Sequence, residues 1–394
     1  MYQFVWMAVV MGWALPAFGQ IAIDALSDPI PVLVDGQPLD VEREGSAAPC
    51  VFDYDHDDKP DLLVGERFGG RLRIYRNVGS RDQPKFSAFT LFQDGLPEGC
   101  VPVYNVFCPQ VADLDGDGQP DIITPVGWGG VQWFRQNKPG DFSAGKPIQT
   151  IDGYPLRLQG ASGVATVDWD ADGDLDLVVG SADGRTGFVH LLINASQGGK
   201  LQFNDPVKLT TDQGDMTVLS GHAAPAIADW DGDGLFDVLI GAADGSVVWH
   251  RNTGESGKPQ FTAPQPLVAP SNGEAGPGKN AIVCVTDWNA DGRLDLLVGD
   301  LGEEFQKQLN EGEIAQRKKA AADQVKALAE WGRFYRLYRQ LRQPPAREGQ
   351  VRLAHSARTE LIRRNRKQTQ HYLEMQALFE GPQHHGRVWV FLRQ

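Results

Sequence analysis

Five stretches of the chain place carboxylates at alternate positions: DYDHDDKPD from Asp53, DLDGDGQPD from Asp113, DWDADGDLD from Asp168, DWDGDGLFD from Asp229 and DWNADGRLD from Asp287. The shared pattern is D-x-D-x-D-G-x-x-D. On a tight loop the side chains at positions 1, 3 and 5 converge, and Gly at position 6 supplies a left-handed backbone. Position 7 offers a carbonyl and position 9 closes the set. Oxygen-only ligation with flexible geometry suits a hard cation, Ca²⁺ rather than Zn²⁺. Without a cation these carboxylates repel one another at close range. The spacing matches the first half of an EF-hand loop, but Asp at position 9 and the strand that follows do not. The expected ligands are Asp53, Asp55, Asp57 and Asp61; Asp113, Asp115, Asp117 and Asp121; Asp168, Asp170, Asp172 and Asp176; Asp229, Asp231, Asp233 and Asp237; and Asp287, Asn289, Asp291 and Asp295. That is up to five ions. Two loops are expected to bind more weakly, because Asp58 stands where Gly is expected and Asn289 removes a charge at position 3. The plain alternative is a set of solvated Asx turns. Five copies in phase with a longer repeat argue against it.

The motifs recur at intervals of 60, 55, 61 and 58 residues. A fixed period of this size marks a propeller or an array. Each motif follows a short apolar run, such as QVA or GVATV, and leads into a second one, such as DLVVG. A Gly-containing turn and an aromatic strand come next (LRIYRN, VQWFRQN, FVHLLIN, VVWHRN). A segment with a leading Phe ends the unit (FSAFTLF, FNDPVKLT, FTAPQPLV). Four turn-bounded strands per unit is the blade of a β-propeller. The fifth unit finds its third strand at RVWVFL, 387–392, and then the chain stops. The unassigned DPIPVLVDG near the N-terminus is expected to supply the missing fourth strand with residues 29–36, which removes the open edge. The expected fold is mainly β: a five-bladed propeller of residues 20–300 plus 386–394, closed by an N-terminal strand.

The chain has 394 residues and a net charge of −14, which argues against a nucleic-acid partner. The charge is uneven: −22 over residues 1–301 and +8 over 302–394. The basic part, 301–385, reads as an inserted helical hairpin, with helices over 303–342 and 350–379 broken by QPPAREG. It is a candidate surface for an acidic partner or an anionic polysaccharide, and equally a solvated spacer. The first residues are uncharged and apolar and end in Ala17-Phe18-Gly19, which reads as a signal peptide, 1–19, and hence export to the periplasm, the cell surface or the medium. No later segment is expected to span a membrane. Of four cysteines, Cys100 and Cys108 are close enough in sequence to staple one loop, whereas Cys50 and Cys284 read as packed core thiols.

The five motifs, each followed by an apolar strand and Gly, resemble FG-GAP/VCBS repeats, the units of the integrin alpha-chain propeller. The resemblance implies Ca²⁺ in the loops between first and second strands, and partner binding on the opposite face. The Phe-Gly that names the family is missing: SAAP and HAAP stand before the first and fourth motifs. Five blades also differ from the seven of the familiar members. On the opposite face the chain places Arg67, Tyr104, Trp128, Tyr154 and His222, an aromatic and polar mix suited to a glycan or a peptide. Each of them is also an ordinary packing or turn residue by type. No HExxH, GxSxG or phosphate-binding Gly loop marks an enzyme. A binding or adhesion module for an extracellular protein or glycan is the leading expectation, and a polysaccharide-acting enzyme such as a lyase is the alternative.

Overall fold

The computed structural model describes residues 25–41, 45–66, 70–92, 107–126, 129–271, 276–304 and 383–394. The signal peptide, residues 305–382 of the helical hairpin, Arg67, Cys100, Tyr104 and Trp128 lie outside the described residues; the two ends of the hairpin are not helical, because residues 302–304 pair with Gln383–His385 as antiparallel strands.

Five antiparallel sheets follow one another along the chain. Blade 1 comprises Ala47–Phe52, Asp61–Glu66, Leu72–Tyr75 and Phe89–Leu91; blade 2 comprises Gln110–Ala112, Asp121–Val126, Gly130–Phe134 and Lys146–Pro147. Blade 3 comprises Gly163–Val167, Asp176–Asp183, Thr186–Leu192 and Val207–Lys208; blade 4 comprises Ala223–Ala228, Asp237–Ala242, Val247–His250 and Gln265–Val268. In blade 5 the order is Lys279–Thr286, Asp295–Glu304, Val388–Phe391 and then Ile30–Pro31. The N-terminal strand does close the last blade: Ile30 pairs with Val390 and Pro31 with Trp389. It is shorter than residues 29–36. Asp35 and Gly36 both take positive φ, 50° and 76°, so the chain turns back as a hairpin of Leu33–Val34 on Gln37–Pro38. Asp-Gly is the favoured pair for such a turn.

The core lies between blades rather than within them. Successive residues of a second strand point to opposite faces, and each face packs on a neighbouring blade, so the strand reads as a continuous apolar run. Leu62 packs with Val388 and Val390 of blade 5, whereas Leu63 packs with Ile122 and Phe134 of blade 2. Equivalent clusters join blades 2 and 3, 3 and 4, and 4 and 5. On the axis Ala48, Cys108, Ala224 and Ile282 meet as a small buried cluster, so apolar side chains of four blades fill the centre of the ring. Five blades leave little axial space, which explains the small residues of SAAP and HAAP.

Glycine sets how closely blades approach. A Cβ on Gly65 would strike the carbonyl of Phe107 in the segment leading into blade 2. Gly180, Gly241 and Gly299 stand in the same relation to the carbonyls of Ala223, Ala281 and Ala47, each on the first strand of the following blade. The last of these contacts closes the circle from blade 5 to blade 1.

A second device clips blades together from outside. Val34, Thr150 and Thr211, each in or beside a short hairpin after a fourth strand, bridge in parallel to Phe86, Phe203 and Phe261 of the next blade. These are leading Phe residues of the repeat, and all three are buried.

Cys50, Cys108 and Cys284 are free thiols among the described residues, and the expected pairing with Cys100 lies outside them. Burial pushes all three upward: Cys50 well above the usual thiol range, Cys108 to about 12 and Cys284 to about 11. A buried thiol with a raised pKa holds almost no thiolate at neutral pH. We expect alkylation mapping to find the buried Cys50 and Cys108 unmodified in the folded protein, and all three modified after denaturation. Reaction of Cys50 or Cys108 in the native state would contradict their placement.

Candidate metal centres

Each acidic motif is the loop between the first and second strands of its blade, so all five loops lie at the same end of the ring. Position 1 organises the loop. Its Oδ2 accepts the backbone N–H of position 6 in every blade: from Asp58, Gly118, Gly173, Gly234 and Gly292, at 2.8–3.1 Å. In four loops its Oδ1 accepts the N–H of position 5. In blade 4 that N–H bonds to Asp231 instead, and Asp229 Oδ1 is left buried without a donor. The Oδ1 of position 5 accepts the N–H of position 7 in all five. Position 6 has positive φ throughout, including Asp58 at 65°, as the sequence pattern requires. Position 4 does too, which the pattern did not reveal: His56, Ala171 and Ala290 adopt φ of 60°, 61° and 58° there.

Position 9 is the strand-tying group. Asp121, Asp176, Asp237 and Asp295 are wholly buried and Asp61 almost so. One oxygen accepts the N–H of position 2 (Tyr54, Leu114, Trp169, Trp230, Trp288) at 2.8–3.3 Å. The other accepts the N–H just past the third strand, from Asn77, Gln136, Asn194, Asn252 and Arg393, at 2.6–2.9 Å. A single carboxylate thus ties the loop to the end of a strand two elements away. Burial pushes Asp121, Asp176 and Asp237 up to about 6, against the pull of these N–H donors. A nearby cation offsets that cost, because an opposite charge favours the ionised form.

The side chain at position 2 couples the loop to the next blade. Trp169 lies 5.7 Å from Phe261, Trp288 5.9 Å from Phe86 and Tyr54 6.2 Å from Phe142, centroid to centroid. Leu114 shares a core cluster with Phe203, and the Trp230 ring faces the Arg393 guanidinium at 5.2 Å. Ordering a loop therefore orders a blade interface. The aromatic at position 2 was in plain view in the motifs, but nothing local to them tells where it packs.

In four loops three carboxylates each present an oxygen within 4.8 Å of the other two: Asp53, Asp55 and Asp57; Asp113, Asp115 and Asp121; Asp168, Asp170 and Asp176; Asp229, Asp231 and Asp233. The converging hard oxygens and the orphaned Asp229 Oδ1 fit a metal ion of the kind the motif implies. In the fifth loop Asn289 donates to Asp291 and also accepts from its N–H, so its amide is engaged within the loop.

The two described residues among the sequence candidates for ligand binding are not brought together. Tyr154 is exposed on the hairpin that clips blade 2 to blade 3, its carbonyl accepting from Thr150. His222 is half-buried just before the first strand of blade 4, at the end of the ring opposite the acidic loops.

At that opposite end, between blades 5 and 1, sits a polar cluster that sequence reasoning missed. Glu66, wholly buried, pairs with Arg71 at 2.7 Å and with Arg73. The Arg73 guanidinium donates to the carbonyls of Asp40 and Val41, and Asp40 meets His385. Its partners come from three separate parts of the chain, which is why no local motif announces it.

The FG-GAP-like repeat model matches residues 53–124, 113–179, 168–240 and 229–298. No curated protein sequence matches the chain. Among solved structures, one described as a putative oxidoreductase (glucose dehydrogenase) from a Thermus species is similar at 14% identity and a TM-score of 0.34, covering 65% of this chain and 90% of that one. A likeness that loose bears on neither activity nor ligand. With four overlapping matches running from Asp53 to Val298, and the same loop and strand geometry in each blade, the chain belongs to the FG-GAP-like repeat family.

Proposed function

We propose that the protein is an exported propeller whose acidic loops hold Ca²⁺, and that it works as a binding module for an extracellular protein or glycan. The observation that carries this reading is the position-9 carboxylate. Buried in all five loops and bonded to two backbone segments, it gives the loops an architectural part to play, as expected of a scaffold that presents surface loops. The carboxylates, carbonyls and positive-φ turns suit Ca²⁺, and extracellular calcium levels would keep such sites filled. The loops at the opposite end, where His222 and the exposed Leu219 lie and from which residues 305–382 depart, are the surface this reading assigns to the partner.

The alternative, a polysaccharide-acting enzyme, draws on one observation: Glu66, Arg73, Tyr75, Asp40 and His385 gather carboxylate, guanidinium, phenol and imidazole at one junction. We place it second because Arg73 is engaged by Glu66 and by two backbone carbonyls, which makes it a latch for the N-terminal segment.

A screen of the calcium-loaded protein against neutral and anionic glycans, followed by product analysis of any hit, separates the two. Retention without degradation supports the binding module, and degradation supports the enzyme. Silence across the array would set the glycan reading aside and leave a protein partner.

A further inference from the structure

The five loops are not electrostatically equal. In blades 1, 2 and 4 the residue just after the third strand is an arginine, and it reaches back into the acidic loop of its own blade. Arg135 pairs with Asp115 at 2.5 Å and with Asp117 at 2.6 Å, so one guanidinium spans positions 3 and 5. Arg251 does the same with Asp231 and, at 3.0 Å, with Asp233. Arg76 bridges Asp55 at 3.1 Å and Asp61 at 3.0 Å, and Lys59 adds a second cation on Asp57.

Blade 3 has Ile193 at this place. Its loop carries five carboxylates in nine residues, Asp168, Asp170, Asp172, Asp174 and Asp176. None of the five makes an ion pair among the described residues. Asp174 Oδ1 is sealed from solvent without a hydrogen-bond donor. Blade 5 has Leu392 at the place of the arginine, but its loop has three carboxylates, an amide at Asn289 and Arg293 paired with Asp291 at 3.1 Å.

We propose that the blade 3 loop is the high-affinity divalent-cation site of the ring, and that Arg76, Arg135 and Arg251 are built-in counterions that lower the divalent affinity of the loops they enter. The inference rests on the Ca²⁺ reading above. A guanidinium bonded to two ligand carboxylates neutralises part of their charge and repels a doubly charged ion a few ångströms away, and ligand charge count is what tunes affinity in oxygen-ligated sites. The same contact holds an arginine-bearing loop in shape when no divalent ion is present. The third loop has no such substitute and depends on its ion.

The test is calorimetric titration of the full chain with Ca²⁺ after chelator treatment. The wild type is expected to show one site at least about tenfold tighter than the rest. Asp172→Asn is expected to abolish the tight class and leave the weaker ones in place. Ile193→Arg, which puts a guanidinium where the other blades have one, is expected to weaken the tight site at least about tenfold. Arg251→Gln is expected to create a second tight site, and Arg135→Gln provides the same reading should the first variant not fold. A single class of equal sites, survival of the tight class in Asp172→Asn, or weaker Ca²⁺ binding in the arginine variants would overturn the proposal. The last result would make the arginines supports of the ligand carboxylates. Absence of all Ca²⁺ binding would sink the calcium reading itself along with it, whereas unequal sites in another order would sink this inference alone.

Discussion

Replacing Asp237 by Ala is expected to cost at least about 3 kcal/mol of unfolding free energy in the presence of calcium, seen in denaturant unfolding as a lower midpoint with an unchanged slope. The carboxylate is wholly buried and accepts from Asn252 N at 2.7 Å and from Trp230 N at 3.2 Å. Ala leaves both donors without a partner, each costing about 1–3 kcal/mol when buried. Trp230 is wholly buried against blade 5, so the loss reaches the blade interface. Asp237→Asn keeps one acceptor oxygen and is expected to fall between wild type and Ala. Its deficit is expected to shrink in chelator, where the wild-type carboxylate also lacks its cation. A deficit for Asn that is the same with calcium and with chelator would show that this carboxylate does not answer to the ion.

Gly180→Ala is the second large effect, and its cause is steric. Gly180 takes no positive φ, so the substitution is not resisted by its own backbone. The new Cβ would overlap the Ala223 carbonyl oxygen and lie 2.8 Å from Pro225 Cδ. Both belong to the first strand of blade 4, whose Ala224 is packed on the ring axis with Ala48, Cys108 and Ile282. Backbone held from both sides has nowhere to move. We expect a loss of about 3 kcal/mol or more, at the upper end for overpacked cores, with separated blades and raised aggregation. Gly184→Ala is the control: it has open space but a φ of 62°, and a cost nearer about 1 kcal/mol is expected from backbone strain alone. Equal costs at the two sites would remove the inter-blade contact as the explanation.

The blade count, the strand order and the N-terminal closing strand were legible because the acidic motif marks the same point in every repeat. Once Asp61, Asp121, Asp176, Asp237 and Asp295 are each assigned to the start of a second strand, the strands on either side follow from the turns. The hairpin clips were less visible. Asp35-Gly36 and Asp152-Gly153 carried the turn signal, but the strands they join are two residues long or single bridges, too short to show alternation. The metal loops were legible as ligand sets and illegible as charge balances. Arg135 and Arg251 lie 18 and 20 residues from the nearest and farthest carboxylates they meet, just past strands whose register brings them back. The tilted ring contacts of Trp169 with Phe261 and of Trp288 with Phe86 join neighbouring blades, in the second case between residues nearly the whole ring apart in sequence. Sequence spacing contains no term for such contacts. For ligand recognition, Tyr154 and His222 proved to be on separate elements, because the 149–155 hairpin carries Tyr154 out to the rim.

Scanning calorimetry of one preparation with calcium and with chelator shows whether the acidic loops are metal sites that stabilise the ring. One site filled at about 100 times its Kd adds about 2.7 kcal/mol, and a domain of this size gains about 2–4 °C per kcal/mol. A melting temperature higher by at least about 5 °C in calcium, and dependent on its concentration, is expected. Superimposable curves would contradict it and reduce the five motifs to acidic turns.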